Sequence, residues 1–483
     1  MTRTRAARAV VLAALAAACR GGTGTVDPGT RPEPVPEGNV QVWLTTGDRT
    51  KLLSRERNLA FTPAELSAPA TIVVNPDEVF QEMVGFGASI TDASAILIQE
   101  TLRGPARDAL MNELFGRDGG IGLAFTRLTV GASDFSPTHY SFDDVPAGQT
   151  DFALEHFSIE PNRAAVLPTV KQALAINPQL KVMASPWSAP GWMKTTGSLI
   201  KGTLRDDAYD AFAEYWVRYI EAYAAEGVPI WAITVQNEPH FEPENYPGMR
   251  LDPPQRARFL RDHLGPAFAR EGIGTLVFDW DHNWDEPESP LAVIADAGAR
   301  QNVDGVAWHC YGGEVSAQSR VHDAYPEIDA YFTECSGGGW APNFGDNLKW
   351  FTATLIIGST RHWARGVLLW NLARDERHGP HLGGCGDCRG VVTIDSRTGA
   401  VTRNEEYYAL GHASRFVLPG ARRIGSTSGV TGLESVAFRN PDGSTALIVV
   451  NTAGAARPFR VREGNESLLY TLPAGAVVTL RWP

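Results

Sequence analysis

An excess of positive charge is the first feature that this sequence lacks. Its 483 residues include 43 Lys and Arg against 55 Asp and Glu, which gives a net charge of −12 at pH 7. A protein that binds nucleic acid normally carries an excess of positive charge, because it must neutralise phosphates. The balance therefore argues against a nucleic-acid partner. It is compatible with a soluble enzyme that acts on neutral or cationic material.

The N terminus also lacks an apolar run long enough to span a bilayer. VVLAALAAA, which follows Arg3, Arg5 and Arg8, has about half the length of a membrane-spanning helix. Basic residues before a short apolar run are typical of an export signal, so we expect residues 1–19 to be a signal peptide. The residues before Cys19 resemble a bacterial lipoprotein cleavage box, which makes Cys19 a candidate for lipidation and membrane anchoring; simple secretion is the alternative. In either case we expect an exported protein, whether secreted, periplasmic or held at the cell surface.

Cysteine is scarce, with five in the chain. Cys385 and Cys388 form a CxxC motif in GGCGDCRG, but a zinc site with four ligands would need a second pair of similar spacing, and there is none. We therefore predict a disulfide between Cys385 and Cys388, since an exported protein matures in an oxidising compartment. A bound zinc ion is the alternative. Cys310 and Cys335 each follow a candidate strand, and we expect both to be buried free thiols.

What the sequence does contain is an alternation of apolar runs and helix-like segments over residues 76–405. The eight apolar runs are MVGFGASI (83–90), GLAFTRLTV (122–130), LKVMASPW (180–187), IWAITVQNE (230–238), TLVFDWD (275–281), DGVAWHC (304–310), IDAYFTE (328–334) and GVLLWN (366–371). Between them, residues 206–227 and 346–366 have the apolar periodicity of amphipathic helices. Strands that alternate with helices pair in parallel, and a count of eight predicts a closed (β/α)8 TIM barrel, an α/β fold.

The two ends of the chain show a different pattern. After about residue 405, β-rich runs alternate with turn residues, as in LESVAFRNPDGSTALIVVN, where Asn-Pro-Asp-Gly is a good hairpin signal. No helix is evident there, and the segments 39–53 and 71–74 also resemble strands. We therefore predict an antiparallel β-sandwich domain built from residues 39–75 and 406–483. A flexible linker rich in Gly and Pro, residues 20–38, precedes it.

Two acidic residues each close an apolar run of the predicted barrel. Glu238 follows WAITVQN, and Glu334 ends IDAYFTE. The C-terminal ends of the strands form the catalytic face of a (β/α)8 barrel, so both carboxylates are expected there. A close pair of carboxylates is what a retaining glycoside hydrolase uses, one as nucleophile and the other as acid and then base. This chemistry requires no metal and no organic cofactor.

Further polar and aromatic residues are predicted on the same face. Asn237, next to Glu238, offers a donor for a sugar 2-hydroxyl, and His309 and Tyr311 follow a neighbouring strand and offer donors that keep Glu334 ionised. The other candidates are a hydrogen-bonding Asp134, two aromatic walls at Trp187 and Trp370, and Arg127, which could orient a carboxylate. Each has an ordinary structural explanation as well, as a packed ring or a buried ion pair. Their shared position near strand ends favours a sugar-binding site.

Five motifs, in this order along the chain, resemble those of glycoside hydrolase family 30: GFGASITDASA (85–95), SPWSAPGWMKT (185–195), TVQNEP (234–239), FTECSGG (332–338) and LLWN (368–371). The family comprises glucosylceramidases, endo-β-1,6-glucanases and related β-glycosidases. The resemblance implies a (β/α)8 barrel with a β-sandwich made from both chain ends, and a retaining mechanism with Glu238 as acid/base and Glu334 as nucleophile. It also implies four glycone-binding residues and two supporting ones, namely Asp134, Trp187, Asn237 and Trp370, with Arg127 and His309.

The loops expected at the rim of the site bear on the substrate. Residues 240–253 and 374–392 follow the fourth and eighth predicted strands and look more like bacterial and fungal members of the family than like animal lysosomal glucosylceramidases. They are rich in charged residues, which favours a β-glucan or oligosaccharide over a glucosyl-lipid, with both kept as hypotheses. A β-xylosidase, β-fucosidase or xylanase of the same fold is one alternative, and a non-catalytic carbohydrate-binding lipoprotein is another. Nothing in the sequence indicates the oligomeric state.

Overall fold

The computed structural model describes residues 38–63 and 70–483. The predicted signal peptide with Cys19, and all but the last residue of the predicted linker, lie outside these ranges. The lipidation site is therefore a prediction on which the described residues do not bear.

Eight parallel strands form a closed barrel, which confirms the predicted fold class. In chain order, β1 to β8 are Gly85–Ser89, Phe125–Val130, Lys181–Pro186, Ala232–Thr234, Leu276–Asn283, Gly305–His309, Asp329–Glu334 and Ala364–Asn371. Closure between β1 and β2 depends on Gly87, since a Cβ atom there would lie 1.7 Å from the carbonyl oxygen of Phe125. A larger residue at this position would hold the two strands apart.

The barrel interior contains a buried apolar layer to which each of β2 to β8 contributes one side chain. These are Phe125, Met183, Ala232, Phe278, Ala307, Tyr331 and Leu368. The layer is a packed core rather than a channel. The buried polar residues Arg127 and Asp281 lie further along their strands, toward the C-terminal end of the barrel.

Helices occupy the connections between the strands. Their bounds are Asp92–Ile96, Gly104–Phe115, Val166–Ile176, Tyr209–Ala225, Pro253–Arg258, Gly265–Glu271, Glu288–Ala295, Ala297–Arg300, Ala317–Ala324, Phe344–Trp350, Ser359–Arg361 and Glu405–Ser414, with π-helical turns at Leu97–Thr101, Phe259–Leu264 and Phe351–Gly358 and 3₁₀ turns at Glu160–Asn162, Gly191–Met193 and Asp206–Ala208. The helices predicted within 206–227 and 346–366 are both present. None of the helices in the described ranges has the length and apolar character needed to cross a membrane.

The helix Glu405–Ser414 was not predicted, and the expectation that no helix follows residue 405 is wrong. All ten of its residues are buried. A helix that is covered on every side has no polar face, so its sequence lacks the amphipathic periodicity by which a surface helix is recognised.

A mostly antiparallel sheet of ten strands forms the β-sandwich, and both chain ends contribute to it, as predicted. Gln41–Thr45 pairs with Val477–Trp482, and Thr71–Glu82 pairs with Arg422–Ser426. In hydrogen-bonding order the strands are Ser54–Arg55, Gln41–Thr45, Val477–Trp482, Thr445–Asn451, Leu433–Arg439, Arg422–Ser426, Thr71–Glu82, Arg457–Glu463, Glu466–Leu472 and Thr62–Pro63. The predicted hairpin turn joins Leu433–Arg439 to Thr445–Asn451.

A small three-stranded sheet follows β8 and shapes the top of the barrel. Its strands are Ala373–Arg374, Val392–Ile394 and Val401–Arg403. The long connection between the first two of these strands contains Cys385 and Cys388 and borders the cavity described next.

Candidate active site

A cavity of about 720 Å³ opens among the loops that follow the barrel strands. Seven of the predicted site residues line it: Asp134, Trp187, Asn237, Glu238, Tyr311, Glu334 and Trp370. The other two, Arg127 and His309, are completely buried and hydrogen-bond to carboxylates of this set. The structure therefore brings all nine predicted residues together in one place.

Glu334 is the last residue of β7, and two donors fix its carboxylate. Arg127, in β2, donates from Nη1 to Oε2 at 2.5 Å, and the Tyr311 hydroxyl donates to Oε1 at 3.0 Å. Each carboxylate oxygen thus accepts a hydrogen bond from a positioned donor, and one of the donors is charged. Charge-assisted hydrogen bonds of this kind stabilise the ionised carboxylate in a buried site.

Glu238 is placed by an irregular segment rather than by a strand end, because β4 stops at Thr234. Its φ is 46°, and Asp281 in β5 has a φ of 52°. The two residues share a backbone hydrogen bond of 3.0 Å, from the Glu238 N–H to the Asp281 carbonyl oxygen. Left-handed backbone outside glycine costs about 1–3 kcal/mol and persists only where the surroundings enforce it. Packing against β5 therefore holds Glu238 in position.

Asp281 links the two halves of the site and was not among the predicted site residues. Its Oδ2 accepts from Arg127 Nη2 at 2.6 Å, from Ser185 at 2.6 Å and from Thr234 at 2.7 Å, and its Oδ1 accepts from Thr333 at 2.7 Å. Burial opposes ionisation, but the charge of Arg127, the hydrogen bond and charge of His309 and the hydrogen bond from Ser185 together outweigh it and hold the pKa of the Asp281 carboxyl well below its usual range. An acid inside the apolar run TLVFDWD was the available signal, because a buried charge requires partners.

His309, at the end of β6, lies between two carboxylates. Its Nδ1 is 3.1 Å from Glu238 Oε1, and its Nε2 is 3.0 Å from Asp281 Oδ1. Burial disfavours the charged imidazole, but the charge of Glu334 and the hydrogen bonds to Asp281 and Glu238 outweigh this and raise the pKa of His309 to about 9. His309 is therefore an imidazolium at neutral pH and donates to both carboxylates.

The two glutamates lie close to each other. A carboxylate oxygen of Glu238, one of Glu334 and a ring nitrogen of His309 all lie within 4.8 Å of one another. Three such groups could hold a metal ion, but both His309 nitrogens already face carboxylates and Arg127 already binds Glu334. The negative charges of Glu334 and Glu238 are instead balanced by Arg127 and His309.

The proton balance of this pair depends on its neighbours. Burial raises the pKa of the Glu334 carboxyl, and the charge of Glu238 contributes to this, whereas His309 and Arg127 oppose it. At Glu238 burial acts in the same direction, but the hydrogen bond from His309 and the positive charges nearby outweigh it, so its pKa is lowered. Two buried carboxylates this close titrate as a unit and share protons rather than ionising independently.

One wall of the cavity is aromatic. Trp187 and Trp370 stack with ring centroids 4.9 Å apart and planes inclined by 15°, and the Arg127 guanidinium lies 4.8 Å from the Trp187 ring centroid.

Burial raises the pKa of the neighbouring Asp134 to about 8, with the charge of Glu334 contributing. Asp134 can therefore exchange a proton near neutral pH and serve as donor or acceptor to a hydroxyl group.

Several further lining residues were not predicted individually. The loop after β4 supplies Phe241, Glu244, Asn245 and Tyr246, the end of β5 supplies His282 and Asn283, and the loop after β7 supplies Trp340. The loop 240–253 had been expected at the rim, but side chains that face a cavity from irregular loops carry no periodic signal in the sequence.

The four cysteines in the described part of the chain form two disulfides. Cys385 and Cys388 are joined, which is the predicted pairing. The expectation of free thiols at Cys310 and Cys335 is wrong, because these two residues are also joined. In the parallel register, His309 in β6 pairs with Glu334 in β7, so the cysteines that follow them lie side by side.

A parallel barrel that presents a close carboxylate pair, an arginine bound to one of the acids and stacked tryptophans in one cavity has the arrangement of a barrel glycoside hydrolase. Family models agree with this class. The model of the glycosyl hydrolase family 30 TIM-barrel domain matches residues 83–417, and that of the family 30 β-sandwich domain matches residues 420–480. The chain belongs to glycosyl hydrolase family 30, and it is a glycoside hydrolase.

Individual relatives fall into two groups by name. The chain is 37% identical over 400 residues to an endo-1,6-beta-D-glucanase of Aspergillus fumigatus, covering 77% of this chain and 79% of that protein. It is 28% identical to the lysosomal acid glucosylceramidase of Mus musculus, covering 91% and 89%. Among solved structures, the endo-beta1,6-glucanase BT3312 superimposes with a TM-score of 0.85 at 33% identity, covering 92% of this chain and 99% of that one.

Proposed function

We propose that this protein is an exported retaining β-glycosidase that cleaves β-1,6-linked glucan by double displacement. Glu334 is the nucleophile that attacks the anomeric carbon. Glu238 protonates the leaving oxygen and then, as a base, activates the water that releases the sugar. Asp134, Trp187, Asn237 and Trp370 bind the glycone, and Arg127, His309 and Tyr311 hold the two acids.

The observation that carries the proposal is the short separation of the two acids, with carboxylate oxygens within 4.8 Å. Retaining enzymes place their two carboxyl groups about 5–5.5 Å apart, whereas inverting enzymes leave about 6.5–9.5 Å for a water molecule. The separation here is closer to the retaining range than to the inverting range. It favours direct attack by a carboxylate.

The hydrogen bonds support the proposed roles of the two acids. Both oxygens of Glu334 accept from fixed donors, Arg127 and Tyr311, so a proton on Glu334 would compete with one of them. Oε1 of Glu238 accepts from His309, and no described residue bonds its Oε2. Burial and the charges of the protein alone raise the pKa of Glu334 and lower that of Glu238, which favours a proton on Glu334. We place the proton on Glu238 Oε2 in the reactive complex, since only that oxygen can then donate to a leaving group.

Asn237 supports the transition state through its amide group. Its Oδ1 accepts from Arg127 Nη2 at 2.7 Å, which fixes the orientation of the amide. The Nδ2 donor has no partner among the described residues and belongs to a side chain that lines the cavity. A donor in this position suits the sugar 2-hydroxyl, whose hydrogen bond strengthens as the oxocarbenium-like transition state forms.

The choice of β-1,6-glucan rests on relatives and on the cavity. The 37% identical relative and the solved structure with a TM-score of 0.85 both bear the name of endo-1,6-β-glucanases. Glu244, Asn245 and Asn283 give the rim polar groups that suit the hydroxyls of a second sugar.

Glucosylceramide is the second candidate substrate. It is favoured by the relationship to the mouse glucosylceramidase, which extends over 91% of this chain, and by the exposed apolar side chains of Phe241 and Trp340 at the cavity. Hydrolysis of the β-1,6-glucan pustulan, compared with glucosylceramide in detergent micelles, separates the two. Faster hydrolysis of the lipid would overturn our choice.

Replacement of the nucleophile tests the mechanism. We expect Glu334→Gln to abolish turnover while sugar binding persists. We also expect azide to rescue Glu334→Gly with formation of α-glucosyl azide, because azide enters on the face that the carboxylate vacated. Unchanged turnover in Glu334→Gln, or a β-configured azide product, would contradict the assignment.

Export is proposed from residues 1–19 alone. Expression of the full chain in a bacterial host, followed by N-terminal sequencing and mass spectrometry, distinguishes the routes. A mature chain that begins with lipid-modified Cys19 indicates anchoring, a later start indicates secretion, and retention of Met1 would contradict export.

A further inference from the structure

Exposed aromatic side chains are concentrated at the active-site cavity. Of the nine large apolar side chains that are exposed in the described ranges, Phe241, Tyr311 and Trp340 line this cavity. Trp340 is the most exposed of the nine, at 56%. Tyr311 has a role in binding Glu334, but Trp340 has none in the chemistry. Exposed apolar side chains that are grouped around one cavity indicate a binding surface.

The position of Trp340 depends on close packing against Gly338. A Cβ atom at Gly338 would lie 2.0 Å from Cζ3 of the Trp340 ring and 2.4 Å from two further ring carbons. The indole therefore rests on the backbone of Gly338, and any side chain at that position would displace it. One part of the ring is covered by the protein while the rest stays accessible.

The segment that carries Trp340 is bonded to the connection after β8. Gly339 N–H donates to the Asp387 carbonyl oxygen at 2.8 Å, and Arg389 N–H donates to the Gly337 carbonyl oxygen at 2.8 Å. The Cys385–Cys388 disulfide closes the turn that supplies Asp387. The disulfide loop thus acts as a brace that fixes the loop of Trp340.

The same connection is fitted to the sugar-binding part of the cavity. A Cβ atom at Gly384 would lie 2.3 Å from the Cβ of Asp134, and Gly384 has a φ of 66°. Glycine is therefore required for the close approach of this loop to Asp134. Cys385 and Cys388 themselves line the cavity, so the brace joins the buried glycone residues to the exposed indole.

Burial distinguishes two regions of the cavity. Trp187 and Trp370 are 3% exposed, as expected for the walls of an enclosed site that takes one terminal or internal ring. Glu238 has the more accessible of the two acid side chains, 15% exposed against 6% for Glu334, which suits an acid that meets the leaving group on the solvent side. Trp340, which is exposed and lines the same cavity, therefore belongs to a second, solvent-facing region.

We propose that Trp340 is the stacking platform of a leaving-group subsite that binds a pyranose ring, and that the Cys385–Cys388 loop holds it there. The apolar face of the sugar packs on the indole while its hydroxyls reach the rim groups of Asn245 and Asn283. This inference rests on the proposed function and specifies the occupant on the leaving-group side as a sugar rather than a lipid chain.

The test compares two substrates that differ in that subsite. Gentiotriose, a β-1,6-linked trisaccharide, places a sugar there, whereas β-glucosyl fluoride has a leaving group of one atom. We expect Trp340→Ala to lower the ratio of kcat/KM for gentiotriose to kcat/KM for the fluoride by about tenfold, the scale of one lost aromatic contact. Trp340→Phe should restore most of the ratio, because it keeps an aromatic face.

A matched control is Trp350→Ala. Trp350 is 42% exposed, at the end of the helix Phe344–Trp350, and does not line the cavity. This variant should keep the wild-type ratio. The double substitution Cys385→Ser with Cys388→Ser should lower the ratio in the same direction as Trp340→Ala, because the indole loses its brace.

The outcomes separate this inference from the proposed function. If the wild type does not hydrolyse β-glucosyl fluoride, the proposed β-glucosidase chemistry fails. If it does, but Trp340→Ala lowers kcat/KM equally for gentiotriose and for the fluoride, or for neither, the assignment of Trp340 to a leaving-group subsite is wrong. A loss confined to glucosylceramide in detergent micelles would also overturn it, since that result would assign Trp340 to a lipid chain.

Discussion

At the scale of single residues, Asp281 is the side chain on which the site most depends. It accepts from Arg127 and faces His309, and these two bind Glu334 and Glu238 respectively. Neither acid touches Asp281 through its own side chain. Asp281 is therefore a positioning residue whose effect on the reaction passes through two cations.

We expect Asp281→Asn to lower kcat/KM on β-glucosyl fluoride roughly 100-fold, because Arg127 and His309 lose the carboxylate that fixes them and small displacements in a reacting site are costly. Asp279→Asn is the control, since Asp279 is buried on the same strand but binds Arg256. That variant should lose stability yet keep the kcat of its folded fraction. Equal losses of kcat in the two variants would show that Asp281 acts on the fold alone.

The charge of His309 predicts a pH dependence of stability. Its pKa is raised from 6.5 to about 9 in the folded protein, so its contribution is fully present below pH 6.5 and is lost as the pH rises through 9. The free energy of unfolding of the wild type should exceed that of His309→Gln by about 3 kcal/mol more at pH 6 than at pH 9.5. Urea denaturation at both pH values measures this. A difference between the two proteins that does not change with pH would contradict a charged His309.

At the scale of elements, the Cys310–Cys335 disulfide fixes the ends of β6 and β7 one residue beyond His309 and Glu334. Cys310→Ser with Cys335→Ser should lower the free energy of unfolding by about 3 kcal/mol, against about 2 kcal/mol for the shorter Cys385–Cys388 loop, because a longer closed loop constrains the unfolded chain more. Urea denaturation of both double variants measures this. A larger loss from the shorter loop would contradict this account.

Sequence periodicity predicted the barrel strands well but missed details that depend on tertiary neighbours. The eight runs stand out because a parallel barrel buries both faces of each strand. By contrast, β4 stops at Thr234, and Glu238 takes its position from contact with Asp281 in β5. The Cys310–Cys335 pairing also follows from the register between strands, which no local pattern in the sequence reports.

At the scale of the whole molecule, His412 connects the barrel to the sheet made by the two chain ends. It lies in the buried helix Glu405–Ser414, with Nε2 2.8 Å from Thr45 Oγ1 and Nδ1 2.9 Å from Thr479 Oγ1. These threonines belong to strands near opposite ends of the sequence. Burial without a charged partner lowers the pKa of His412 to about 3.

His412 therefore makes the stability of the folded protein sensitive to acid. Its folded-state pKa lies below the ordinary value of 6.5, so its contribution to stability is complete above pH 6.5 and is lost as the pH falls toward 3. Between pH 7 and pH 5 the unfolded chain binds a proton at His412 that the folded protein does not bind, which should lower the free energy of unfolding by about 2 kcal/mol. His412→Asn should be less stable at pH 7 but show a flatter pH dependence, measured by thermal denaturation. Parallel pH profiles of the two proteins would contradict this.

A sheet built from both chain ends was predictable because both ends carry strand and turn signals that differ from the alternating pattern between them. Site residues that lie at strand ends, such as Glu334 and His309, could be predicted from the sequence. Asp281 and Trp340 could not be assigned from pattern alone, because the role of Asp281 arises from side chains on four other barrel strands and the position of Trp340 from a loop pairing.

The central claim is that the two acids act by double displacement, and the configuration of the first product tests it most directly. Proton NMR of the reaction with β-glucosyl fluoride shows which anomer of glucose appears before mutarotation. Two carboxylates within 4.8 Å predict that β-glucose appears first. Initial formation of α-glucose would mean a single inverting displacement and would contradict the assignment of Glu334 as a nucleophile.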